Sequence, residues 1–239
     1  MLIDTPAKPL GGKAYGHIPH LPGSRTGPGD HMCHAGQARI ATEKARDRHD
    51  TIIVQEKLDG SAVCVARIDG ALYPLGRAGY LAASSPYEQH QLFAAWAEQN
   101  RDRFMAVLQD GERLVGEWLA QAHGTRYDLA GRDPFVAFDL MRGHERATVR
   151  ELVERNDARF HLPYPLHIGG PMSIPDSLRL LGEHGYYGAL DPAEGVVWRV
   201  ERKGKVDFLV KLVKIGKTDG SYLPEVSGAE AVWNWRPET

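Results

Sequence analysis

The sequence is poor in cysteine, in long apolar runs and in net charge. Only Cys33 and Cys64 occur among 239 residues, too few for a disulfide framework, and Cys64 lies inside an apolar strand pattern. No stretch approaches the roughly 18 apolar residues of a membrane span, and no signal peptide opens the chain. Formal net charge is −2, so a polyanionic partner would have to be met by local clusters of Lys and Arg. No internal repeat is visible. What remains, at 42% hydrophobic and 25% charged residues, is ordinary globular composition with length enough for a substantial core. The expectation is a reduced, soluble, cytoplasmic protein with no membrane partner.

Gly and Pro crowd residues 8–31, which read as a loop or extended arm. Within it, Asp30-His31-Met32-Cys33-His34 offers metal-ligand types, but the spacing fits no zinc pattern and free histidines are the preferred reading. From Thr51 the signals sharpen. Strands are predicted over 51–57, 61–68 and 71–77, the last two joined by an Asp69-Gly70 hairpin turn, so Lys57 and Arg77 flank one hairpin. Ser85-Pro86-Tyr87-Glu88 opens a long helix running to about Gln109. Strands follow at 113–119 and 135–140, then a helix from Thr148 and another from Ser173 to near Gly185. A final hairpin pairs 195–202 with 205–213 around Lys203-Gly204. Strands outnumber helices and hairpins recur, which argues α+β with antiparallel sheets.

Lys57 ends the first predicted strand in Glu56-Lys57-Leu58-Asp59-Gly60. Residues two apart on a strand share a face, so the Lys57 amine and Asp59 carboxylate can enter one pocket, and Gly60 lets a ligand approach the backbone. That arrangement suits a nucleophilic lysine. Alone the pattern is weak, arising by chance in roughly one chain in thirty of this length. Five further segments follow in order: Gly76-Arg77-Ala78-Gly79, Val115-Gly116-Glu117-Trp118, Phe135-Val136-Ala137-Phe138-Asp139, Glu194-Gly195-Val196-Val197 and Lys211-Leu212-Val213-Lys214.

This ordered set resembles the covalent nucleotidyltransferases, which comprise RNA ligases, DNA ligases and messenger RNA capping enzymes. The segment from Gly116 through Ala120-Gln121-Ala122-His123-Gly124 to Tyr127, followed by Phe138-Asp139, is most similar to ATP-dependent RNA ligases. The resemblance spans about 51–217 and implies an antiparallel, ATP-grasp-like nucleotidyltransferase catalytic domain. It implies that Lys57 attacks the α-phosphorus of ATP, expels pyrophosphate and carries AMP as a phosphoramidate. Leaving an ordinary lysine neutral at pH 7 costs about 4.6 kcal/mol, so neighbouring cations and magnesium-bound phosphates must contribute. By the same resemblance Arg77 and Glu117 hold the ribose hydroxyls, Phe138 stacks on adenine, with Phe135 the competing ring, and the backbone around Glu56 reads the adenine edge. Lys211 stabilises charge on the α-phosphate, and Glu194 helps place the nucleotide or a hydrated Mg2+ or Mn2+ otherwise held through ATP phosphates and water.

Two departures from the family pattern stand out. Many relatives end in Lys-x-Lys, whereas Lys211 and Lys214 are three apart and in a regular strand face opposite ways; either a bulge intervenes or one of them, Lys211 by preference, contacts phosphate. Ala62 stands where double-strand-sealing RNA ligases commonly carry Asn. The arm around His20 and Arg25 is read as a surface loop rather than a cover for the pocket or a contact to RNA phosphates.

The expected organisation is one nucleotidyltransferase domain, with an arm at 1–50, a core at 51–217 and a tail at 218–239. After Lys217 the residues are too few for an OB-fold or a separate C-terminal domain. The expected activity is an ATP-dependent RNA ligase of RNA repair, joining RNA 5′-phosphate and 3′-hydroxyl ends through lysyl-AMP and an adenylylated RNA end. A capping guanylyltransferase, a DNA ligase and a non-catalytic nucleotide or RNA binder are the alternatives.

Overall fold

The computed structural model describes residues 8–218 and 220–237; the first seven residues of the expected arm, and positions 219, 238 and 239 of the expected tail, lie outside the described residues. In chain order the elements are α1 (Ala35–Thr42), β1 (Asp50–Lys57), β2 (Ser61–Ile68), β3 (Ala71–Gly76), α2 (Glu88–Gln99), α3 (Arg101–Val107), β4 (Glu112–Trp118), β5 (Phe135–Arg142) and β6 (Glu145–Arg146). They continue with α4 (Val149–Asn156), β7 (Pro165–Gly169), α5 (Ile174–Leu181), β8 (Gly195–Arg202), β9 (Lys205–Val213) and α6 (Pro224–Ser227). Every pairing between named strands is antiparallel, so the class is α+β with antiparallel sheets.

Two compact units are interleaved along the chain: Met1–Gly16, Ser61–Trp118 and Phe135–His161 form the first, and His17–Gly60, Leu119–Pro134 and Leu162–Thr239 the second. The first carries a five-stranded sheet in the order β3-β2-β4-β5-β6. Asp69 and Gly70, at φ 49° and 76°, turn β2 into β3 as their residue types require. An aromatic core packs on this sheet: Phe93 and Trp96 from α2, Phe104 from α3, then Trp118, Phe135 and Phe160, with Phe104 and Phe160 centroids 4.5 Å apart. Phe135 is thus a core ring.

The expected long helix is two. Asn100, at φ −101° and ψ 19°, separates α2 from α3; its side-chain amide donates to the Trp96 carbonyl at 2.9 Å and accepts from Arg103 at 2.6 Å. This side chain competes with the backbone ladder, as Asn does at helix ends. Nor does Ser85 cap α2. Tyr87 holds the cap position, and Ser85 Oγ instead accepts the Tyr87 N–H in a turn before the helix. Thr148 and Ser173 do cap α4 and α5, accepting the N–H of Glu151 and Asp176. The second of these stops at Gly182 rather than near Gly185.

The second unit carries a four-stranded sheet in the order β7-β1-β8-β9. One face holds Ile52 and Val54 of β1, Val196, Trp198 and Val200 of β8, and Val210 and Leu212 of β9, all buried against Leu21, Ala41 and Leu181. The opposite face holds the alternate residues, and the site is built there. β9 does not end the hydrogen bonding. Lys211 N–H donates to the Pro19 carbonyl and Leu21 N–H to the Lys211 carbonyl, so His20 pairs with Lys211 in a parallel bridge. The arm expected as a surface loop is, at this point, part of the sheet.

Candidate active site

Register decides which side chains meet. Lys57 lies opposite Gly195, which lies opposite Val213; one step along, Gln55, Val197 and Lys211 are opposite one another. Directly opposed residues share a face, so Lys57 and Lys211 project from the same side of the sheet. Lys57 Nζ donates to Glu194 Oε2 at 2.5 Å, with the carboxylate largely buried. Gly195 makes this corner possible. A Cβ there would stand 1.9 Å from the Leu212 carbonyl oxygen, so only glycine lets β8 start against β9 beside Lys57.

The pairing of β8 with β9 is regular from Phe208 through Val213, and its one irregularity lies at Val200/Glu201. No bulge therefore brings Lys211 and Lys214 to one face. The Lys214 ammonium donates to the Gly182 carbonyl at 3.1 Å, and burial together with Lys217 lowers its pKa. Glu56 also turns away from Lys57, onto the core face. It is 2% exposed; one carboxylate oxygen accepts the Tyr186 N–H at 2.8 Å, while Oε1 has no hydrogen-bond partner among the described residues. Burial raises its pKa, opposed by the Tyr186 N–H, Lys214 and Arg132. Its backbone N–H is already used, donating to the Tyr164 carbonyl.

Asp59 follows β1 rather than extending it, so strand alternation does not carry its carboxylate to the Lys57 amine. That carboxylate accepts from Thr125 Oγ1 at 2.8 Å and lies 3.9 Å from Lys217 Nζ, while the Asp59 N–H donates to the Tyr127 hydroxyl. Lys217 Nζ also reaches the Gly124 carbonyl (2.7 Å), Thr125 Oγ1 (2.6 Å) and the Pro192 carbonyl (2.9 Å). Sequence reasoning missed Lys217, which carries no motif signal, and also missed Arg199. Arg199 is opposite Ile53 and Leu209 on the Lys57 face and 2% exposed; its signal was an arginine alternating with apolar residues in a strand. Gly60 ends this segment.

Arg77, Glu117 and Phe138 belong to the first unit, and Lys57, Glu194 and Lys211 to the second. Glu117, half-buried, is opposite Ala62 and Val136. Val115 and Gly116 oppose Asp139 and Ala137, which leaves Phe138 as the extra residue of a bulge. Phe138 and Asp139 both meet Tyr15: the rings stand 5.3 Å apart, and the Tyr15 hydroxyl donates to Asp139 at 2.6 Å. Arg77 is exposed just beyond β3, its carbonyl accepting the N–H groups of Ala14 and Tyr15. Among the described residues no group of three His, Cys, Asp or Glu side chains could hold a metal ion, and no helix is long and apolar enough to cross a membrane.

Comparison with known proteins gives this geometry a context. No curated protein matches the sequence. Among solved structures, a Naegleria gruberi RNA ligase variant with ATP and manganese superposes with a TM-score of 0.53 at 15% identity, over 85% of this chain and 58% of that one. An apo variant of the same ligase gives 0.53 at 16% identity, over 91% and 60%. An archaeal ATP-dependent RNA ligase gives 0.49 at 18% identity, over 69% and 43%. The chain thus spans about three fifths of the Naegleria chains, with which it shares a fold. A model of the RNA ligase family matches residues 50–214, well over half of the sequence, and the chain therefore belongs to the RNA ligase family.

Proposed function

We propose that the protein is an ATP-dependent RNA ligase working through a lysyl-AMP intermediate on Lys57. The observation that carries this reading is the 2.5 Å contact between Lys57 Nζ and Glu194 Oε2 at the corner built by Gly195. The pair fixes the amine's position, and the carboxylate is the nearest acceptor for its proton. In the first step the Lys57 ammonium gives one proton to Glu194, the neutral amine forms a bond to the α-phosphorus of ATP as the bond to pyrophosphate breaks, and the second nitrogen proton passes to the departing pyrophosphate or to water. Lys211, on the same face, stabilises the developing negative charge. An RNA 5′-phosphate oxygen then takes the AMP from Lys57, and an RNA 3′-hydroxyl displaces AMP to form the phosphodiester.

The nucleoside contacts of Arg77, Glu117 and Phe138 are the roles that the resemblance implies. Asp59 supports the loop after Lys57 through Thr125 and Lys217. The Naegleria ligase was solved with ATP and manganese; here we assign a divalent ion, Mg2+ or Mn2+, to the ATP phosphates and water, where it would offset their charge. The test is incubation with α-labelled ATP and magnesium. The expected result is a labelled protein whose label Lys57→Ala abolishes and Glu194→Gln slows by about a hundred-fold. Equal labelling of wild type and Lys57→Ala would end this reading.

A further inference from the structure

The arm, expected to be a surface loop, contributes a buried histidine to the face that carries Lys57 and Lys211. His20 is 2% exposed and stands between two partners: its Nδ1 is 2.7 Å from Ser24 Oγ and its Nε2 3.2 Å from Asp30 Oδ2. Its backbone is fixed on both sides. His20 N–H donates to the His31 carbonyl and its carbonyl accepts from Cys33, while the flanking Pro19 and Leu21 bond to Lys211. Ser24 extends the tie, since its Oγ accepts the Val213 N–H at 2.9 Å and the Arg25 N–H donates to the Val213 carbonyl. As the bridge partner of Lys211, His20 projects its ring to the same side of the sheet.

Protonation follows from these contacts. Burial, then the charges of Lys211 and Lys57, hold the imidazole below its ordinary pKa, against the pull of Asp30. The Nδ1 of the ring shares a hydrogen bond with the Ser24 hydroxyl, which also lies 3.1 Å from the Arg25 carbonyl, while Nε2 faces the Asp30 carboxylate at 3.2 Å without an aligned hydrogen bond. Partial burial draws the Asp30 pKa up, but the Gly27 N–H and Lys211 outweigh it, so Asp30 is ionised. The ionised Asp30, beside the buried His20 ring, thus sets a negative charge within electrostatic reach of Lys211.

We propose that His20 and Asp30 are positioning residues for Lys211, holding its ammonium on the Lys57 face to receive a nucleotide phosphate. This rests on the assignment of Lys211 to phosphate in the reading above. It makes the arm a part of the phosphate site, which neither the Gly/Pro-rich composition nor any motif announces. His20 is buried, so the effect passes through Lys211.

A double-mutant cycle on equilibrium binding of α,β-methylene-ATP with magnesium tests it. With Lys211 present, His20→Ala is expected to weaken binding about ten-fold, and in a Lys211→Ala background less than two-fold. Asp30→Asn, at a more exposed position, should show the same dependence on Lys211 and covers the case that His20→Ala fails to fold. Equal losses in both backgrounds, or no loss with Lys211 present, would overturn the proposal. The two readings fail separately: label on Lys57 of the native protein tests the ligase chemistry, whereas the cycle tests the coupling of His20 and Asp30 to Lys211.

Discussion

At the scale of the residue, the most exacting position beside the nucleophile is Glu56. Its carboxylate is buried with one oxygen unpartnered among the described residues, and burial raises its pKa. A group whose folded pKa lies above its unfolded value adds stability below the unfolded pKa, here about 4.3, and that contribution is lost as pH rises through the folded pKa. Glu56→Gln keeps an acceptor for the Tyr186 N–H and removes the titration. The variant should therefore gain stability relative to wild type between pH 5 and pH 8, by about 1 kcal/mol. Urea midpoints at the two pH values check this, and a relative loss at pH 8 would count against a strained carboxylate. The thiols make a contrast. Cys64 is buried and pushed up to about 12 by that burial, so it behaves as a small apolar side chain.

At the scale of the element, the consequence of Gly195 is testable. A Cβ there meets backbone on β9, at 1.9 Å from the Leu212 carbonyl oxygen, and backbone cannot rotate away. Gly195→Ala should cost about 3 kcal/mol, read from chemical denaturation, and should open the corner that holds Lys57 to Glu194. Local chemistry made much of the fold legible: Asp69-Gly70 and Lys203-Gly204 announced their hairpins, and the caps at Thr148 and Ser173 announced α4 and α5. Where a distant partner decided the outcome, the sequence was mute. β7 is a short edge strand with an exposed Ile168 and little alternation, and it exists because β1 lies beside it. The break at Asn100 is a side-chain competition that helical periodicity does not see. In the candidate site, strand parity already separated Lys211 from Lys214. The meeting of Lys57 with Glu194, 137 positions away, needed the register of β1 on β8. His20 and Lys217 carry no motif; the bridge to Lys211 reveals the one and side-chain contacts the other, and Arg199 had only its alternation with apolar residues to announce it.

At the scale of the whole molecule, net charge is −2 and the chain divides into two interleaved units. Binding of substrate to the folded state alone must raise its melting temperature. ATP with magnesium at about a hundred times its dissociation constant adds about 2.7 kcal/mol, which for a chain of this size is a shift of about 5–10 °C. Differential scanning fluorimetry should record it with ATP and a smaller one with GTP; no shift at saturating ATP would remove the nucleotide from the reading. The strand order β7-β1-β8-β9 has a last consequence. β1 leaves the ribosome well before its two neighbours, which come from residues 165–169 and 195–202. Because translation is slow and earlier segments emerge first, the lysine-bearing strand waits unpaired until β7 and β8 have been made. A prematurely terminated product lacking β8 should then be unable to charge itself with nucleotide, and its exposed strand edges make it a client for chaperones.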